Sequence, residues 1–406
     1  MSNKILRLDF ETFSYAELRG KASVGVWNYW HHPSTEVLML GYKLPGAKTP
    51  LLWEPRLASM PGDLLSAILD PLVLISAFNS TFERYGLGKL GFVIPIARFI
   101  DPQASARYLS MPGDLDEVST ILGLPSHLAK SKRGEELIEL FSKPYKLRKK
   151  KGEEQQYGRN TWETHPAAWE EFKNYCIQDV VAEEEVSRRE EILQALPLPP
   201  FEREVWEFDQ KVNDRGIPVD VEFVEKMYRL AVRSKKEAKE AFEKLTGVEN
   251  ASSPEQVKKW AKPQGYPFGT LRKETVASVL KDPDIKITDV CRQALMMRQE
   301  SASTSYQKLG KILQQVSPNG RLMGQFIYMG SPRCGRWSGN AVQLHNLARP
   351  ALVGGFDFED QKVVREARQM IYAEDYDGIK KKYGSVLLVV KSLVRTVFVA
   401  SREELQ

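Results

Sequence analysis

The chain has 406 residues, 42% hydrophobic and 27% charged, a balance that fits an ordinary globular protein of two or three domains. Its three cysteines, Cys176, Cys291 and Cys334, stand in no paired motif, which excludes a disulfide framework and a zinc site. The first residues lack a signal-peptide core, and no apolar run reaches the roughly 18 residues of a membrane span. A reducing, intracellular setting with no membrane partner is therefore expected. The net charge of +5 is uneven: residues 1–200 sum to about −2 and residues 201–406 to about +7. A basic second half suits a polyanion gripped there and processed in the first half, although a chance imbalance reads equally well.

In chain order, residues 5–10, 24–27 and 37–42 read as closely spaced strands, so an antiparallel meander is predicted. A helix over 64–69, a buried strand over 72–78 and a helix over 79–90 follow, giving a mixed α/β domain. Pro166 sits at a first helical position, and Trp169, Phe172, Cys176 and Val180 then repeat at helical spacing. Tyr175 and Asp179 lie four apart and share one side of that helix. The prolines of 197–200 end the segment and mark a domain boundary.

The second half opens with helical periodicity at Val205, Phe208 and Val212, broken over 213–218, before a highly charged helix over 221–245. Ser253, Pro254 and Gln256 form a capping-box signature, a further helix spans 287–316, and 321–329 alternates like a strand. The run 143–152 is a basic loop, either solvated surface or an attractor for strand phosphates.

Two acids at the end of the first strand, Asp9 and Glu11, and a distant Asp179 beside Tyr175 have the make-up of a two-metal phosphoryl site. Taken singly, each has a plainer reading. Asp179 could be a surface acid in a row with Glu183, Glu184 and Glu185, Tyr175 could be core packing, and Asn79 could cap the following helix.

Three ordered motifs change that balance: Asp9-Phe10-Glu11, then Asn79 to Arg84 with Glu83, then Tyr175 to Asp179. Over about its first 190 residues the chain resembles the 3′–5′ exonuclease domain of phage-type family A (polymerase I-like) DNA polymerases. The segments 99–101, 115–124 and 134–141 share the likeness. It implies a ribonuclease H-like mixed sheet and two divalent ions, Mg2+ or Mn2+, as cofactors. Asp9 would bridge the ions, Glu11 and Asp179 would complete the first site, and Glu83 would support the second. Tyr175 would orient the attacking water. Glu83 stands where the family usually has Asp; it keeps the charge and reaches one methylene further.

The likeness continues into a thumb over 201–220 and 253–256, a long helix from Arg298, and a stretch holding Arg333, Arg336, Gln343, His345 and Asn346. In the family that stretch meets primer–template DNA, so these residues, with Asn79, Lys143 and Lys149, are candidate DNA contacts. Residues 393–400 resemble a strand-like lead-in to the first polymerase carboxylate motif. The resemblance thus implies an exonuclease domain over 1–196, a helical thumb over 197–320 and an incomplete palm over 321–406. The carboxylates of nucleotide addition are missing from it, which implies a split gene completed by a C-terminal polypeptide in trans, or a truncated product. The expected partners are a single-stranded 3′ end and a primer–template duplex. A stand-alone DNA or RNA exonuclease and an idle binding scaffold are the competing readings.

Overall fold

The computed structural model describes residues 4–125, 132–149, 152–301, 306–331 and 333–400. It forms two compact units, residues 1–216 with 323–343, and residues 217–322 with 344–406.

In the first unit, β1 (Lys4–Phe13) leads through α1 (Val26–His31) to β2 (Glu36–Lys43) and β3 (Leu51–Trp53). Then come α2 (Gly62–Leu69), β4 (Val73–Ser76), α3 (Thr81–Lys89), β5 (Phe99–Ile100), α4 (Pro102–Tyr108) and α5 (Leu115–Ile121). The sheet order is β3-β2-β1-β4-β5, with β1–β2–β3 antiparallel and β1–β4–β5 parallel. That is the mixed sheet of the ribonuclease H-like fold. Its even-numbered β1 side chains Leu6, Leu8 and Phe10 enter a core with Trp30, Leu64, Ile75 and Phe99. The unit continues through α6 (Lys132–Phe141), a two-residue ladder of β6 (Tyr145–Lys146) with β7 (Tyr157–Gly158), and α7 (Pro166–Arg188). It closes with α8 (Glu190–Leu193) and α9 (Pro200–Arg215).

The sequence reading fails at three places. Residues 24–27 are not a strand: Gly25 has φ 84°, and α1 starts directly after it, burying Tyr29 and Trp30. The third meander strand is instead β3, too short for its alternation to stand out. Residues 321–329 are not one strand either. Gly324, at φ 63°, separates β9 (Arg321–Leu322) from β10 (Phe326–Ser331), which pairs with β11 (Arg336–Gly339).

The second unit contains β8 (Ile217–Pro218), paired with β9, and the 26-residue α10 (Val221–Thr246). Around these lie α11 (Pro254–Ala261), α12 (Lys273–Lys281), α13 (Asp289–Ser301) and α14 (Gln307–Gln315). The gap between α13 and α14 means that part of the predicted 287–316 helix, residues 302–305, lies outside the described residues, as do 150–151 of the basic loop. Ser253 caps α11 by accepting from the Gln256 amide, while its own N–H goes to the Asn250 carbonyl. The unit ends with β12 (Leu352–Val353), β13 (Phe356–Asp357), α15 (Gln361–Tyr372), α16 (Tyr376–Tyr383) and α17 (Val386–Leu393). The expected strand-like 393–400 is a 3-10 turn over Val394–Val397, whose Val394 and Val397 are buried, followed by a single bridge from Phe398 to Val219. Among the described residues, no helix is long and apolar enough to cross a membrane.

A candidate metal centre on the first strand

The odd-numbered positions of β1 carry Arg7, Asp9 and Glu11, so period-2 geometry sets all three on one face of the sheet. A register shift follows: Glu11 pairs with Met39 but Thr12 with Val37, a bulge immediately beyond the second acid.

Helix α7 covers this face. Gly41, the β2 partner of Asp9, lets it approach closely: a Cβ there would lie 2.9 Å from the Cys176 carbonyl and 3.1 Å from its sulfur. The Cys176 thiol points to the Asp9 carbonyl at 3.6 Å. Asp179, one turn on, is thereby brought to the strand. Ligand oxygens of Asp9, Glu11 and Asp179 all lie within 4.8 Å of one another.

Buried charge fixes this docking. Arg7 reaches Glu183 at 2.8 Å and Ser76 at 3.2 Å, and Lys43 pairs with Glu184. Both glutamates are buried, so the acids after Asp179 are not the solvated row that the sequence allowed. The sequence reading passed over Arg7 and Lys43. The available signal was a cation within each apolar strand, which demands a buried partner.

Glu83 is delivered by α3, packed on β1 through Gly86, where a Cβ would fall 2.8 Å from the Phe10 ring. It is only 4% exposed, and its Oε2 has no hydrogen-bond partner. Burial, then the Asp9 charge, pushes its carboxyl well above the usual range. Asp101 sets the start of α3: its carboxylate accepts from the Asn79 and Ser80 amides at 3.0 and 2.9 Å and from the Ser80 hydroxyl. Asn79 itself has φ 69° and does not cap the helix; Ser80 holds the cap position.

Tyr175 is 8% exposed, and its phenol is hydrogen-bonded to Asp179. Burial and the charges of Asp179, Glu11 and Asp9 hold that phenol protonated well above its ordinary range.

The candidate DNA contacts are dispersed. Lys143 pairs with Glu139 on α6, Lys149 is exposed, and Arg298 donates to the Ala251 carbonyl at 3.1 Å. Arg333 and Arg336 are exposed on the β10–β11 hairpin, and Gln343 follows it. His345 and Asn346 are exposed in a 3-10 turn of the second unit.

The sheet and its acids define a ribonuclease H-like domain with an acidic centre suited to hard cations. The chain is 32% identical over 401 residues to a DNA polymerase of Bacillus phage SP02, covering 98% of this chain and 58% of that protein. It is a relative of that polymerase and spans a little over half of its length. No protein-family model matches. Among solved structures, the POL domain of Pol1 from M. smegmatis, in complex with DNA primer-template and dNTP, aligns at TM-score 0.49 and 14% identity. That alignment covers 85% of this chain and 52% of the other, and at that score it carries no functional argument.

Proposed function

We propose that the chain is the exonuclease-bearing portion of a family A DNA polymerase, trimming DNA from a 3′ end as a proofreading nuclease. The observation that carries this reading is the convergence of Asp9, Glu11 and Asp179 within 4.8 Å, from a strand and a helix about 170 residues apart in sequence. An all-carboxylate donor set fits magnesium or manganese, and the unpartnered buried Oε2 of Glu83 fits a role toward a second ion, directly or through water.

When bound, two such ions would polarise the scissile phosphate and favour deprotonation of an attacking water. The protein's own groups do the rest. Asp9, Glu11 and Asp179 hold the centre in place through the rigid β1–α7 contact. Tyr175 keeps its proton, which it donates in a hydrogen bond to the Asp179 carboxylate, so its oxygen orients water by accepting a hydrogen bond rather than acting as a base. Strand and duplex binding is assigned to Asn79, Lys143, Lys149, Arg298, Arg333, Arg336, Gln343, His345 and Asn346. Residues 1–196 are proposed as the nuclease domain, 197–320 as the thumb and 321–406 as the opening of a palm. Among the described residues, no second group of three acids, histidines or cysteines is close enough to hold an ion.

The test is release of nucleotides from labelled DNA and RNA strands with magnesium. The parental protein should shorten DNA from its 3′ end, and Asp179→Ala should abolish this while strand binding persists. Cleavage by Asp179→Ala near the parental rate would discard the proposal.

A further inference from the structure

We propose that a cavity in the first unit, distinct from the three converged acids, is a binding site for a nucleotide, its base against aromatic walls and its phosphate on Arg107. The cavity measures about 230 Å³ and is lined by α3, α4, α9 and the β10 strand. Trp27, Trp206 and Phe326 supply flat apolar wall, the kind of surface on which any base stacks.

Arg107 is the informative residue. Its guanidinium lines the cavity, is partly buried, and makes no hydrogen bond or ion pair among the described residues. Its nitrogens open to the solvent of the cavity, where Asp101 and Asp209 are the neighbouring charges, so an entering phosphate would replace water rather than a protein partner. Its seat is shaped for it: a Cβ at Gly113 would fall 2.4 Å from the guanidinium nitrogen. Neighbouring polar groups are already engaged. Gln103 donates to the Gly113 carbonyl at 2.7 Å, and Asp209 accepts from Trp337 at 2.8 Å and Asn213 at 3.1 Å. Burial also pushes the Asp209 carboxyl up to about 7, so near neutrality it only partly offsets the Arg107 charge. A planar group with a phosphate matches both the walls and the fork of the guanidinium.

Two sources share this chemistry, a free mononucleotide and one nucleotide within a DNA strand. Thr81, two residues before Glu83 at the start of α3, lines the cavity together with Asn79, so a strand lying at the acids could reach it. This second step rests on the nuclease reading; the site itself does not.

Binding is measured without divalent ions, so that no cleavage occurs, using single-stranded DNA carrying 2-aminopurine and, separately, dAMP as a competitor. The expected result is quenching of 2-aminopurine on binding, with Arg107→Gln weakening affinity roughly tenfold and Trp27→Ala reducing the quench. Displacement by dAMP would identify a mononucleotide site, and lack of displacement a strand site. Should Arg107→Gln fail to fold by circular dichroism, Trp27→Ala carries the test, because Trp27 is only partly buried. Parental affinity and quenching in both variants would overturn the proposal. Because the readout needs neither a divalent ion nor cleavage, failure at the acids and failure at the cavity are told apart.

Discussion

Arg7 and Glu183 form a buried ion pair at 2.8 Å, two strand positions from Asp9 and one helical turn from Asp179. The pair therefore sets the distance at which these two candidate ligand carboxylates meet. Removing one partner leaves an uncompensated buried charge, so Arg7→Met should cost roughly 3–5 kcal/mol of stability. The double variant Arg7→Met/Glu183→Leu should recover most of that loss. Urea denaturation of the single and double variants checks this; equal losses in both would deny the pair its role.

Gly41 makes a second, separable prediction. In Gly41→Ala the new methyl would sit 2.9 Å from the Cys176 carbonyl, so α7 must move outward. The stability cost should be about 1–3 kcal/mol. The cleavage rate should fall further in proportion, on the order of a hundredfold, because a displacement of about 1 Å breaks the alignment of the acids. Single-turnover cleavage measured beside thermal melting separates the two effects.

Asp209 predicts a pH dependence. Its carboxyl is raised from 3.8 to about 7, chiefly by burial, with the Trp337 hydrogen bond pulling the other way. The folded state thus holds a proton that the unfolded chain releases between those values, and this site's contribution falls as pH rises through that window. Asp209→Asn removes the effect. Apart from a pH-independent offset, its stability relative to the parent should climb from pH 4 to pH 7, by up to roughly 4 kcal/mol, and level off above. Denaturation curves at several pH values show whether the difference has that slope; a flat difference would refute the assignment.

Arg336 is exposed on its hairpin, where its guanidinium donates to the Cys334 sulfur at 3.1 Å. Arg336→Ala should weaken duplex binding and reduce the slope of log affinity against log salt by about 1. Hydrolysis of short single strands should not change. Fluorescence anisotropy across a salt series reads the first effect.

Much of the first unit was legible because its signals are local. The apolar runs that became β1, β2 and β4 have the lengths of buried strands, and Pro166 with Trp169, Phe172 and Cys176 marked α7 by capping and periodicity. The strand over 24–27 misled because valine and tryptophan favour sheets, whereas the left-handed Gly25 and the burial of Tyr29 and Trp30 favour a helix start. Asp9, Glu11, Asp179 and Tyr175 were nameable as an ordered set. What held them was not: Arg7–Glu183, Lys43–Glu184 and the Gly41 contact join residues far apart in sequence, and no spacing rule reports such pairs.

The most direct test of the acidic centre is the binding of Mn2+ itself, followed by calorimetry without nucleic acid. The parental protein should bind manganese with an affinity that Asp9→Ala and Asp179→Ala each reduce by roughly tenfold or more. Unchanged manganese affinity in both variants would contradict the account.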